Sequence, residues 1–297
     1  MIPPLRPGDK IAIIATARKI TLPEIETAIR TFMDWGLEVV TGRTIGADYN
    51  QFAGDDALRL QDLQQALDDD SIKAIICARG GYGTTRILDE VDFTGFQKHP
   101  KWIVGFSDVT ALLAHVQNLG LESIHAIMPV LFPKPGTADS VDTLRRALFG
   151  EELYYDVAPH PFNRTGTATG QLTGGNLSML YTLTGTRSAV DTTGKILFLE
   201  DLDEYLYHVD RMLVHLDRSG KLAGLAGLLV GDMSDMRDNA VPFGKTAYEI
   251  ILEHTGKYNY PVCYGFPVGH EPLNLALVCG REAQLEVNEA GVKLRYV

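Results

Sequence analysis

The sequence predicts an α/β chain organised around a doubly wound parallel sheet. Short apolar runs without polar alternation recur along its first half, and amphipathic helical patterns separate them. Runs of that kind suit strands covered on both faces, and strands alternating with helices imply right-handed βαβ units. The length of 297 residues fits two domains of ordinary size.

Lys10 to Ala15 reads as the first strand. A helix follows, opened by a capping box of Thr21 and Glu24, with Ile25, Ile29 and Phe32 on one face. Leu37 to Val40 is the second strand, Leu58, Leu63 and Leu67 mark a second helix, and Ile72 to Ala78 is the third strand. Trp102 to Val104, a helix after Asp108 and a strand over Ile124 to Met128 continue the alternation. From about Phe149 to Gly175 the composition turns to Gly, Pro and Thr, so the domain junction is placed near its start, giving domains 1–155 and 156–297. Beyond it come a helix from Asn176, a strand at Ile196 to Leu199 and a helix at Tyr205 to Leu216. Strands at Leu225 to Val230 and Val262 to Val268 follow. The tail AQLEVNEAGVKLRYV alternates apolar and polar residues around Glu289-Ala290-Gly291, the pattern of an antiparallel hairpin.

A net charge of −11 leaves no basic stripe for nucleic acid or an anionic membrane. Cys77, Cys263 and Cys279 are odd in number and lack metal-ligand spacing, which points to small buried thiols in a reducing compartment. The apolar stretch Ile11 to Ala15 is too short for a secretory h-region, and no run approaches a membrane span. A cytoplasmic protein is expected.

Ligands of an open parallel sheet gather beyond the carboxyl ends of its strands. Ser107 follows WIVGF, Glu200 follows ILFL and His270 follows YGFPVG. An acyl-transfer site needs a hydroxyl, an imidazole to take its proton and a carboxylate to orient the imidazole. Each residue also has a plain structural reading: Ser107 as a helix N-cap, Glu200 as one of a solvated acidic cluster with Asp201, Asp203 and Glu204, and His270 as an ordinary loop histidine. The elbow G-x-S-x-G is not met, because Val109 stands where its second glycine belongs.

The loop ARGGYGTTR, residues 78–86, has two readings as well. Its backbone N–H groups suit an anion, or its glycines serve only a tight turn. It fails as a dinucleotide fingerprint, since Arg86 replaces the third glycine. His208 and His215 are seven apart with no H-E-x-x-H pattern, so no metal site is expected.

The motifs RGGYG, GFSD, GGNL, FLED followed by DRML, and FPVGH stand here in one order. In that order the chain resembles the LD-carboxypeptidases of serine peptidase family S66, on the murein tetrapeptide carboxypeptidase branch, with microcin-immunity hydrolases as cousins. The resemblance runs from LRPGDKIAIIA to GHEPLNLAL and departs at SIHAIMP, where His-Gly-Pro is expected, so His125 receives no role. It implies a Rossmann-like doubly wound N-terminal domain, a smaller C-terminal α/β domain, a site between them and homodimers working in cytoplasmic cell-wall recycling.

The resemblance also implies a Ser-His-Glu triad on Ser107, His270 and Glu200. Ser107 is then the nucleophile, His270 the proton acceptor and Glu200 the group that fixes the imidazole tautomer. The backbone N–H groups of Asp108 and Gly81 are the expected oxyanion donors, and no metal or cofactor is required. The bond to be cut precedes a C-terminal D-alanine in a muropeptide. Arg79 and Arg211 are candidates for its carboxylate, and Asn176 either lines the same cleft or caps its helix. Two alternatives stand beside this: an S66-type hydrolase of a peptidyl-nucleotide toxin, and a non-catalytic two-lobed small-molecule binding protein. Strand alternation adds that only one of Glu200 and Asp201 faces His270.

Overall fold

Residues 2–297 are described by a computed structural model, in which the apolar runs of the first half become buried strands. In order these elements are β1 (Lys10–Ile14), α1 (Leu22–Asp34), β2 (Glu38–Thr41), α2 (Asp56–Asp68), β3 (Ile72–Cys77), α3 (Thr84–Leu88), α4 (Thr94–Lys98), β4 (Trp102–Gly105), α5 (Thr110–Asn118), β5 (Ser123–His125) and α6 (Ala138–Phe149). The capping box at the start of α1 forms: the Glu24 carboxylate accepts from the Thr21 N–H at 2.8 Å. Ile25, Ala28 and Phe32 then face inward.

The pairs β2–β1, β1–β3, β3–β4 and β4–β5 are all parallel. Consecutive residues such as Ile75 and Ile76, or Ile103 and Val104, are fully buried. Burial on both faces explains why these strands carry no polar alternation. The strand order β5-β4-β3-β1-β2 places the loops after β3 and β4 side by side.

The later chain contributes β6 (Tyr154–Val157), β7 (Gly166–Asn176), α7 (Leu177–Leu183), β8 (Ile196–Leu202), α8 (Leu206–Arg218), β9 (Gly227–Ser234), α9 (Ala247–Thr255), β10 (Val262–Tyr264), β11 (Leu277–Cys279), β12 (Glu282–Asn288) and β13 (Gly291–Tyr296). Its seven-stranded sheet has the order β10-β9-β8-β7-β12-β13-β6. The run β7 to β10 is parallel, and β12, β13 and β6 add antiparallel to it. This is a mixed α/β chain of two units.

Three differences from the sequence expectations have physical causes. The Gly- and Thr-rich tract holds the eleven-residue β7. A Cβ on Gly174 (φ +144°) would lie 2.0 Å from the carbonyl oxygen of Phe198, so β7 approaches β8 at a place only glycine allows. The strands expected over 124–128 and 262–268 stop at His125 and Tyr264. Gly265, in the left-handed region at φ +70°, turns the chain out of β10. Finally, the first unit extends to Glu151 and takes back Leu275–Val278, while the second comprises Glu152–Asn274 and Cys279–Val297. The second unit is therefore interrupted, not the contiguous 156–297 expected. Strand β11 joins the first unit's sheet beside β5.

Candidate active site

In the first unit, β4 ends at Gly105, where a Cβ would lie 2.6 Å from a methyl of Val109. The chain can therefore fold sharply back. Ser107 opens one 3-10 turn, Ser107–Val109, and adopts φ +60°. A non-glycine residue in that region is strained by about 1–2 kcal/mol. Ser107 does not cap α5, whose N-cap position is held by Val109, and its side chain makes no capping bond. The reading of Ser107 as the N-cap of α5 is thereby excluded.

The loop after β3 packs against this turn. A Cβ on Gly80 would sit 3.3 Å from Ser107 Oγ. Gly81 and Gly83 take φ +110° and +148°, so both need glycine. The Asp108 side chain is buried and clamps the loop, with Oδ2 accepting from the Thr84 N–H at 2.9 Å and Oδ1 from the Gly83 N–H at 3.3 Å. Burial raises its carboxyl above the usual range, against those hydrogen bonds. Fully buried Arg59 adds a second clamp, donating to the carbonyls of Thr16 (2.7 Å) and Gly83 (2.9 Å) and pairing with Asp56. Arg79 is half-buried and donates to the carbonyl of Lys19 at 3.2 Å. The stem of Arg18 lies across Gly81: a Cβ there would be 2.1 Å from Arg18 Cδ.

In the second unit, Glu200 is fully buried on β8, and its Oε2 lies 2.7 Å from His270 Nδ1. A carboxylate only accepts, so Nδ1 carries the proton and Nε2 is left basic. Glu200 Oε1 has no hydrogen-bond partner among the described residues. Gly269 (φ +143°) permits the approach, because a Cβ there would lie 3.3 Å from Glu200 Cβ and 2.9 Å from Asp232 Cβ. Its N–H donates to Asn274 Oδ1 at 3.2 Å. Burial opposes charging of His270, yet the hydrogen bond and charge of Glu200, with Asp201 and Asp232 behind them, hold the imidazolium above its ordinary range.

Asp201 points elsewhere. It accepts from Asn176 Nδ2 (2.8 Å) and from the N–H and hydroxyl of Ser178 (both 2.9 Å). Burial, then the charge of Glu200, push its carboxyl up to about 6. Asn176 meanwhile caps α7, accepting from the Met179 N–H at 3.2 Å. Arg211 is exposed on α8, with its guanidinium 5.4 Å over the ring of Tyr207. His208 is bound to Glu204, and His215 meets Tyr181 edge-on. Among the described residues no three His, Cys, Asp or Glu side chains gather as a metal site.

Two residues beside these groups escaped the sequence reading. Asp232 lies within β9, two residues before its end, and lines a cleft of about 750 Å³ with Glu271, Tyr248, His160 and Phe162. Burial first, then the charge of Glu271, push its carboxyl up to about 7. Arg18 follows β1. In the sequence Asp232 follows the apolar run Leu225 to Val230, a strand-end signal that reaches it, whereas nothing local marks Arg18. Chemically, the second unit offers a buried, carboxylate-backed imidazole, and the first offers a strained serine hydroxyl beside a glycine loop.

Comparison with known proteins adds to this. Residues 11–126 match the family model described as the LD-carboxypeptidase N-terminal domain, and residues 169–285 match that of the LD-carboxypeptidase C-terminal domain. The chain is 36% identical to the probable murein peptide carboxypeptidase of Bacillus subtilis (strain 168), over 96% of this chain and 91% of that one. It is 30% identical to the murein tetrapeptide carboxypeptidase of Pseudomonas aeruginosa, over 94% of each. Among solved structures, it is similar to the muramoyltetrapeptide carboxypeptidase from Oxalobacter formigenes, with a TM-score of 0.88 at 29% identity, covering 97% of this chain and 98% of that one. The wild-type microcin C7 self immunity protein MccF gives a TM-score of 0.87 at 20% identity over 99% and 98% of the two chains, a likeness of fold alone.

Proposed function

Because the chain belongs to the LD-carboxypeptidase family, serine peptidase family S66, and is thereby a hydrolase, we propose that it removes the C-terminal D-alanine of murein tetrapeptides by cutting the L,D-amide bond before it. The observation that carries this reading is the buried 2.7 Å contact of His270 with Glu200, the second half of a serine-hydrolase relay. The names of the relatives in Bacillus, Pseudomonas and Oxalobacter support the substrate class.

In this mechanism Ser107 Oγ attacks the scissile carbonyl and gives its proton to His270 Nε2. Glu200 stays ionised and balances the imidazolium. Negative charge growing on the carbonyl oxygen is met by the N–H groups of Gly81 and Asp108, donors already fixed before the reaction begins. His270 returns the proton to the leaving amine, D-alanine departs, and water enters through the same base to resolve the acyl-enzyme. Asn176 acts here through Asp201 and α7. Cytoplasmic action in cell-wall recycling and a homodimeric assembly belong to the same proposal, resting on the family resemblance. Fractionation of cells and light scattering of the purified chain test those two parts.

The test of the reaction is mass spectrometry of murein tri-, tetra- and pentapeptides after incubation with the protein. The tetrapeptide should lose D-alanine and its all-L isomer should persist. Equal turnover of the all-L peptide refutes the L,D-specificity. Turnover of a peptidyl-nucleotide conjugate with none of the tetrapeptide selects the toxin hydrolase instead.

A further inference from the structure

An exopeptidase that releases one residue must sense a free carboxylate one residue beyond the bond it cuts. The scissile carbonyl carbon and that carboxylate are separated by about one residue length, roughly 3.8 Å. The carbonyl itself approaches the nucleophile to about 3–3.5 Å. A cation for the carboxylate therefore belongs within a residue or two of Ser107.

The first unit holds such charge. Ser107 Oγ lies against Gly80, and the stem of Arg18 lies across Gly81, the next residue of the same loop. Its backbone is tied down there by an N–H to the Gly80 carbonyl at 3.4 Å and by a bridge to Phe52. Among the described residues the Arg18 guanidinium has no hydrogen-bond or ion-pair partner. Arg18 and Arg79 line one cavity of about 260 Å³ with Lys19, Thr21, Glu24 and Asp48.

The other charges of that cavity are occupied. Lys19 pairs with Asp48 at 2.8 Å. The Glu24 carboxylate accepts both the N–H and the hydroxyl of Thr21. Two guanidinium groups remain, in a chain of net charge −11. They repel: the Arg79 guanidinium is held below its ordinary range by burial and next by the charge of Arg18, with Glu24 opposing. A bound anion relieves that repulsion.

Resting on the carboxypeptidase reading above, we propose that Arg18 and Arg79 form the subsite for the substrate's terminal carboxylate, with Arg18 making the direct contact. Gly81 has a second purpose on this view, because a side chain there displaces Arg18 from the loop. Arg211 then takes no part in binding the carboxylate.

The test compares a murein tetrapeptide ending in the free acid with its C-terminal amide, using the intact enzyme and Arg18→Gln. Arg18 is exposed, so the variant should fold. The unmodified enzyme should prefer the acid by roughly 10- to 100-fold in kcat/KM, the range of a charge-assisted hydrogen bond. In Arg18→Gln the acid should lose about that factor, chiefly through KM, while the amide stays unchanged and the preference disappears. Arg79→Gln should reduce the preference in the same sense, and Arg211→Gln should leave it intact. If Arg18→Gln slows both substrates equally, or neither, the subsite is wrong while the activity stands. If the unmodified enzyme cleaves neither substrate, the carboxypeptidase reading falls and takes the subsite with it.

Discussion

Glu200 and Asp201, consecutive on β8, give their carboxylates to different partners. Glu200 meets His270 at 2.7 Å, and Asp201 meets Asn176 and Ser178 at 2.8 and 2.9 Å. The two substitutions should therefore separate chemistry from structure. Glu200→Gln should lower kcat by roughly 10⁴-fold, because an amide lets the imidazole settle in the wrong tautomer and balances no charge. Asp201→Asn should cost about tenfold or less in kcat, yet about 1–3 kcal/mol in stability, since its amide places a donor against donors. Turnover rates and denaturant midpoints of both variants decide this. A crippled Asp201→Asn beside an active Glu200→Gln reverses the assignment.

The raised His270 imidazolium sets the acid side of the pH profile. His270 must be neutral to accept a proton, so kcat/KM should begin to fall, as pH drops, at a pH above the ordinary histidine value of about 6.5. In Glu200→Gln the burial that disfavours charge remains while the countercharge is gone. The residual activity should then persist to lower pH than in the unmodified enzyme. An acid limb that does not move means Glu200 has no hold on this titration.

Asp232 predicts a stability effect of definite sign. Its carboxyl is pushed from 3.8 up to about 7 in the folded chain. Between these values the folded state keeps a proton that the unfolded state has released, so rising pH weakens the fold across that window. Asp232→Asn removes the titration while keeping the shape of the protonated acid. The Tm of the variant minus that of the unmodified protein should widen from about pH 4 to about 7 and then level off. Thermal scans through that range check it, and a constant difference contradicts the raised carboxyl.

Ser107 at φ +60° dissociates activity from stability in another way. Ser107→Ala and Ser107→Gly should both abolish turnover. Glycine accepts the left-handed conformation without penalty, so Ser107→Gly should be as stable as the unmodified protein or more so, by up to about 1 kcal/mol after the added flexibility of its unfolded chain is counted. A clear loss of stability in Ser107→Gly means that the serine side chain supports the turn after all.

Part of this arrangement is legible in the sequence. The α1 capping box and the alternation along Ile196–Asp201 are local properties, and local rules reach them. At the strand ends those rules leave Ser107, Glu200 and His270 with plain structural readings as well, and only the family resemblance joins the three. Strand β7 was not legible, because a tract of glycine and threonine reads as a loop until Phe198 arrives beside Gly174. The backbone angle of Ser107 is likewise set by its surroundings: Gly80 and the Asp108 clamp lie more than twenty residues apart in the chain. Neither periodicity nor spacing carries that information. Arg18 is illegible for a different reason, since its meaning comes from the partners it lacks.

The return of residues 275–278 to the first sheet bears on how the molecule is made. Strand β11 leaves the ribosome about 150 residues after β5, yet it covers the edge of β5. Until β11 arrives, Ser123, Ile124 and His125, all buried in the finished fold, stand at an open sheet edge. An unpaired edge of this kind is a template for another chain. Closing it requires contact between residues some 150 positions apart, the type of pairing that slows folding and lengthens exposure to aggregation. A nascent or truncated first half should therefore be the species that chaperones hold, and the dissected fragment ending near Glu151 the one that precipitates.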